Sequence, residues 1–136
     1  MDDTPVHEIL TPYGWPRPKG YANGIAARGR MLFVGGQIGW TPDQRFESDD
    51  FVAQFRQALS NVLAVLTAGG ASPAHVTQLT WYFTDRDEYV ARLGEIGAVY
   101  RELFGRHYPA MAAVEVARLV EPRAQIELQA IAVVPD

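Results

Sequence analysis

The stretch QIELQAIAVV, residues 125–134, is apolar in both of its alternating sets, with Ile126, Leu128, Ala130 and Ala132 in one and Ile131 and Val133 in the other. Successive side chains of a strand point to opposite faces of the sheet. A strand of this kind therefore needs cover on both sides. Only two segments upstream have helical spacing, and two helices cannot cover both faces of such a sheet. The second face is expected to be buried against other copies of the chain, in a closed ring or dimer. The bland alternative is a sparse, alanine-rich surface left partly exposed.

The first helical segment, SDDFVAQFRQALSNVLAVLTAGG (48–70), is apolar at Val52, Phe55, Leu59, Val62, Leu63 and Leu66, a single buried stripe. Ser48, Asp49 or Asp50 can cap its start, and Gly69-Gly70 stops it. The second starts at Asp85 or Asp87, carries Val90, Leu93, Ile96, Val99, Tyr100, Leu103 and Phe104, and ends at Gly105. Between them VTQLTWYFT (76–84) alternates, Leu79, Trp81 and Phe83 against Gln78, Thr80 and Thr84, and reads as a strand. GIAARGRMLFVGGQIG (24–39) reads as two short strands joined at Arg28-Gly29, a hairpin. Gly35-Gly36 interrupts the second of them, the mark of a bulge or of a close backbone approach. Two closing strands, about 110–119 and 125–134, flank the turn VEPR with Pro122.

The order is ββαβαββ, an α+β sheet with two helices on one face. With no repeat, linker or low-complexity tract, residues 1–136 are expected to form one domain. Residues 1–20 are its N-terminal segment and loop, and about 21–134 its core. The loop TPYGWPRPKGYANG (11–24) is expected to be ordered, because its prolines and glycines alternate with aromatics.

Composition removes several classes of function. The net charge is −4 and no Lys/Arg-rich run exists, which makes nucleic acid an unlikely partner. There is no cysteine, hence no disulfide, thiolate nucleophile or Cys-ligated zinc. His7, His75 and His107 lack HxxH or HExxH spacing, so no metal is expected. P-loop, GxGxxG and GxSxG patterns are absent, and no cofactor is expected. No window approaches the ~18 consecutive apolar residues that span a bilayer. MDDTPVHEIL does not read as a signal peptide, and a cytoplasmic location is the expectation.

Glu127 stands out, flanked by Ile126 and Leu128. A carboxylate there faces water at an edge, or is paired, or sits in a pocket where desolvation raises its pKa toward the range a general acid/base needs. Glu115, between Val114 and Val116, competes on the same grounds.

The chain as a whole resembles the Rid (YjgF-like, L-PSP) family of enamine/imine deaminases. The resemblance is carried by MLFVGGQIG (31–39), QALSNVLAVLTAGGAS (57–72), WYFTDRDEY (81–89), YPAMAAVEVARL (108–119) and QIELQAIAV (125–133). It runs over roughly residues 20–134. It implies the same ββαβαββ order, similar to the trimeric chorismate mutase arrangement. It also implies a homotrimer with active sites between subunits, and hydrolysis of small enamines and imines to a carbonyl compound and ammonium. By the same resemblance Glu127 matches the catalytic glutamate and Gly36 the glycine whose backbone lines the substrate pocket. Tyr21 matches the tyrosine of the loop that closes over the site.

The departures sit at the substrate end. Where deaminases of 2-aminoacrylate-type substrates have Pro-Ala-Arg-Ser, with the arginine gripping the substrate carboxylate, this chain has Pro109-Ala110-Met111-Ala112. Charge-assisted hydrogen bonds contribute roughly 1.5–3 kcal/mol each, so losing two weakens carboxylate binding by about a hundredfold or more unless another cation substitutes. A position often occupied by a pocket-lining asparagine is Gly97, and an occasional cysteine is Ala113. Among possible substitutes, Arg118 points to the opposite strand face, Arg123 lies in the turn, and Arg106 and His107 lie at a helix end. Trp40 offers an aromatic wall for the cleft or a packing element at a subunit junction. The leading reading is a hydrolytic deaminase with altered substrate choice, 2-aminomuconate-like substrates being one candidate by family analogy. The alternatives are a non-catalytic trimer that binds a metabolite or partner protein, and an L-PSP-type endoribonuclease.

Overall fold

The structure, a computed structural model, describes residues 4–136; the first three residues of the acidic stretch 1–10 lie outside the described residues. Alternation along the strands and the 3.6-residue stripe of the helices converge on one layer of contact. Four strands form the main sheet in the order β3 (Arg30–Ile38), β6 (Ile126–Val134), β4 (Val76–Phe83), β5 (Ala110–Glu115). The central β6 is antiparallel to both β3 and β4, and β5 runs parallel to β4. Helix α1 (Phe51–Ala68) packs on β3 and β6, and α3 (Leu93–Phe104) packs beside it. Phe55, Leu59, Val62 and Leu66 of α1 meet Leu79, Trp81 and Phe83 of β4 and Ile126, Leu128 and Ala130 of β6, all buried. Asp50 caps α1 by accepting from Ala53 N–H at 3.0 Å.

Three expectations about local structure need correction. The strand Gly24–Ala26 (β2) does not form a hairpin with β3 but pairs antiparallel with an unforeseen strand, β1 (Glu8–Leu10). The turn runs the chain against the end of β6: at Gly29 (φ +145°) a Cβ would lie 2.0 Å from the Val134 carbonyl oxygen. The second helix is two, α2 (Arg86–Ala91) and α3, broken at Arg92. The Arg92 guanidinium there binds Asp50, Glu88 and Glu95, and Val90 and Leu93 are exposed rather than part of the core stripe. The first closing strand ends at Glu115, short of 119.

The two faces of the sheet differ. Opposite the helices lie Met31 and Phe33 of β3, paired with Val133 and Ile131 of β6. Val114 of β5 pairs with Tyr82 of β4 on the same side. Phe33 is 70% exposed and Met31 55%, so the described residues leave this side largely uncovered around β3, though Val133 itself is buried.

Candidate functional site

Glu127 stands on the uncovered face, opposite Tyr82 of β4 and Ile38 of β3. Its carboxylate lies over Gly36, where a Cβ would come 2.2 Å from Oε2. Gly36 belongs to the bulge that shifts the β3–β6 register between Val34 and Gln37, so both readings of the Gly35-Gly36 pair hold. Beside it the Tyr82 hydroxyl donates to Gln129 Oε1 at 3.0 Å. The rival carboxylate serves the fold instead. Glu115 Oε1 accepts the Arg86 backbone N–H at 2.8 Å, at the start of α2 where Asp85 also caps.

Met111 is elsewhere. It pairs with Leu79 of β4 and so faces the helices, in a cavity of about 540 Å³ between β4–β5 and α2–α3. Trp81, Met111 and Ala113 line it from the sheet, and Tyr89, Ile96 and Tyr100 from the helices. Tyr108 stacks on Tyr100 with ring centroids 5.4 Å apart. Burial pushes the Tyr100 and Tyr89 phenols up, and the Tyr100 hydroxyl donates to the His107 carbonyl at 2.5 Å. Both phenols are thus neutral wall elements. Tyr21 reaches the same cavity because Ala22 N–H donates to the Pro109 carbonyl at 3.0 Å, which pins the proline-rich loop beside the start of β5.

A family model described as Endoribonuclease L-PSP matches residues 16–134. The chain belongs to the Rid (YjgF-like, L-PSP) family. Among its Rid relatives, a RutC family protein of Pyrococcus horikoshii is 39% identical over 93% of this chain and 98% of its own. The 2-iminobutanoate/2-iminopropanoate deaminase of Salmonella typhimurium is 34% identical over 83% and 86%. Among solved structures, the Rid family protein YyfB of Yersinia pestis matches with a TM-score of 0.80 at 28% identity, covering 94% and 98%. Escherichia coli TdcF with bound serine matches at 0.68 and 30%, covering 93% and 98%.

The structure sorts the Rid site candidates into two groups. Glu127 and Gly36 share the uncovered face, whereas Tyr21, Met111 and Gly97 share the cavity on the helix side. Trp40 and His107 line neither. Trp40 packs on Phe46, with ring centroids 5.9 Å apart, and its carbonyl accepts from Asn61 at 2.8 Å. His107 Nε2 sits 2.7 Å from the Val76 carbonyl, and burial lowers its pKa. His7 lies near, with Nε2 3.1 Å from the His75 carbonyl, and His75 Nδ1 accepts the Ser72 N–H at 3.0 Å. The three histidines converge, yet each is bound to backbone, and no group of three potential ligands is arranged for a metal among the described residues.

The residues considered as substitutes for the missing arginine also lie apart. Arg123 pairs with Asp49 over Phe46, and Arg118 lines a depression around Pro122. The cations that do line the cavity are Arg101 and Lys19, neither of which stands out in the sequence. Helical spacing held the signal, since Arg101 lies four residues after Gly97, on the same helix face.

Proposed function

We propose that this Rid protein is a hydrolytic deaminase of short-lived enamines and imines, working where copies of the chain meet as a homotrimer. The observation that carries the reading is the Glu127 carboxylate laid over Gly36 on the uncovered face. Support comes from the deaminase name of the Salmonella relative and from the serine bound by TdcF, itself a small amino acid. The division of candidate residues between two faces favours assembly, because a neighbour can bring the Glu127 corner of one chain to the Tyr21–Met111 cavity of another. Exposed Phe33, Met31 and Val114 supply apolar area for that contact.

The chemistry asks for one proton-transferring group. An enamine gains a proton at carbon and loses one from nitrogen to become the imine. Glu127 then accepts a proton from the attacking water as its oxygen bonds to the imine carbon. The protonated acid gives that proton to the nitrogen, completing the carbinolamine. The hydroxyl proton then passes through the same carboxylate to the nitrogen, the C–N bond breaks, and ammonia leaves a carbonyl compound. The overall change is imine plus water to carbonyl plus ammonia. Gly36 contributes by its missing side chain, which leaves the carboxylate room.

The test is ammonia release from a panel of freshly generated imines and enamines of graded size. Wild-type protein is expected to accelerate release and the Glu127→Gln variant to lose that acceleration. Equal rates for the two proteins, or no acceleration across the panel, would overturn the reading. Ligand binding without turnover would point instead to a metabolite-binding module.

A further inference from the structure

We infer that Arg101 is the carboxylate anchor of this site, moved from strand to helix, and that the cavity admits planar unsaturated amino-acid derivatives larger than three-carbon ones. The inference rests on the deaminase reading for its chemistry but stands on its own geometry. At Gly97 a Cβ would come 3.1 Å from Arg101 Nη1. The guanidinium therefore lies over the very position where a side chain is missing, in the wall of the cavity that the uncharged Met111 also lines. An asparagine at 97 would compete for that space; an arginine at 111 would set a second like charge in the same cavity.

Arg101 is also uncommitted. Three other surface arginines are held by carboxylates, Arg56 by Glu102, Arg92 by three of them, and Arg123 by Asp49. Arg101 makes no side-chain hydrogen bond or ion pair among the described residues. A second feature of the cavity lining points to a ligand. Trp81 lines it, is 5% exposed, and its Nε1–H is buried without an acceptor. Buried donors are nearly always satisfied, so an acceptor atom of the ligand, or a water it carries, is the natural partner.

The walls between these two points set the ligand class. Tyr100, Tyr108 and Trp81 present aromatic rings in near-parallel stacks, with interplanar angles of 15° and 27°. Rings of this kind favour a flat π-system. A conjugated enamine or imine with a carboxylate at one end offers an anion to Arg101, a flat face to the rings and an acceptor to the Trp81 N–H. In the lone chain the cavity measures about 540 Å³, which leaves room for a conjugated system longer than three carbons beside a neighbouring copy.

The probe is anthranilate, a planar 2-amino carboxylate that does not hydrolyse, with anthranilamide as its uncharged counterpart. Calorimetric titration of the full-length protein is expected to give binding of anthranilate in preference to anthranilamide. Arg101→Met should weaken anthranilate roughly ten- to a hundredfold, the loss of one or two charge-assisted hydrogen bonds, and leave anthranilamide unchanged. Gly97→Asn should weaken anthranilate in the same direction by displacing the guanidinium, and Arg101→Lys should restore part of the loss. Where turnover is measurable, Arg101→Met should raise KM far more than it lowers kcat. Unchanged anthranilate affinity in Arg101→Met, or no preference of the wild type for the charged probe, overturns the assignment. Because the titration needs no turnover, its failure is distinct from failure of the Glu127 experiment.

Discussion

Ile126, Leu128, Ala130 and Ala132 point from β6 into the helices and are buried to within 2%. Their immediate neighbours, Glu127, Gln129 and Ile131, point from the same strand to the opposite face, where the described residues leave them partly or fully exposed. One set is bound by packing density, where a lost methylene is felt at once. The other tolerates a carboxylate and an amide because it stays wet in the lone chain. The difference teaches where selection for fold and for chemistry can act separately: one residue along the strand changes the physical regime.

The sharpest way to break this division is at its closest point. Glu127→Gln is expected to cut deaminase turnover by about 10²- to 10⁴-fold, the usual worth of a positioned acid/base, with the thermal midpoint nearly unmoved. A large fall in the midpoint would make Glu127 a structural residue. Next door, Leu128→Ala should do the reverse. Deleting a fully buried leucine costs roughly 2–5 kcal/mol, read by urea denaturation, while the activity of the protein still folded stays near wild type.

The uncovered face invites a third test. Phe33→Ser on the lone chain is an exposed substitution and should change fold stability by no more than about 0.5 kcal/mol. In solution it should nevertheless weaken the proposed trimer in favour of monomer, visible by sedimentation velocity, and lower turnover along with assembly. A wild-type protein that sediments as a monomer would remove the reason for Phe33 and Met31 to stand in the open. It would also leave the Glu127 corner without a cavity to complete it.

Periodicity made much of this legible in advance. The stripes of α1, the alternation of β4 and the two-sided apolarity of β6 are local patterns, and local patterns survive translation into structure. The pairing of β2 with β1 was not legible, because a three-residue strand at Glu8–Leu10 has too few residues to establish a period. Nor was the break at Arg92, which depends on carboxylates as distant as Asp50. At the site, the corner of Glu127 and Gly36 followed from pattern and resemblance together. The cations that line the cavity with Met111, Arg101 of the facing helix and Lys19 of the proline-rich loop, are none of those the sequence suggests, Arg106, His107, Arg118 and Arg123. Glu115 was ambiguous until the start of α2 was seen to use it.

Acid separates the two regimes once more, by the smallest of these effects. His107 and His75 belong to the N-terminal and helix-end packing, away from Glu127, and burial is the first cause lowering both of their pKa values. A histidine with a depressed folded pKa binds fewer protons in the native state than in the unfolded chain. Its contribution to stability is complete above the unfolded value of about 6.5 and is lost as pH falls through the lower folded value. Stability should therefore decline below about pH 6.5, with a slope no steeper than about 1.4 kcal/mol per pH unit for each histidine. His107→Gln should flatten that decline, because an amide keeps a donor for the Val76 carbonyl without titrating. Glu127→Gln should leave the same decline intact while removing activity at every pH. If instead Glu127→Gln flattened the acid limb of stability, the carboxylate and the packed histidines would be energetically coupled, and the two faces of β6 would not be the independent systems that their exposure implies.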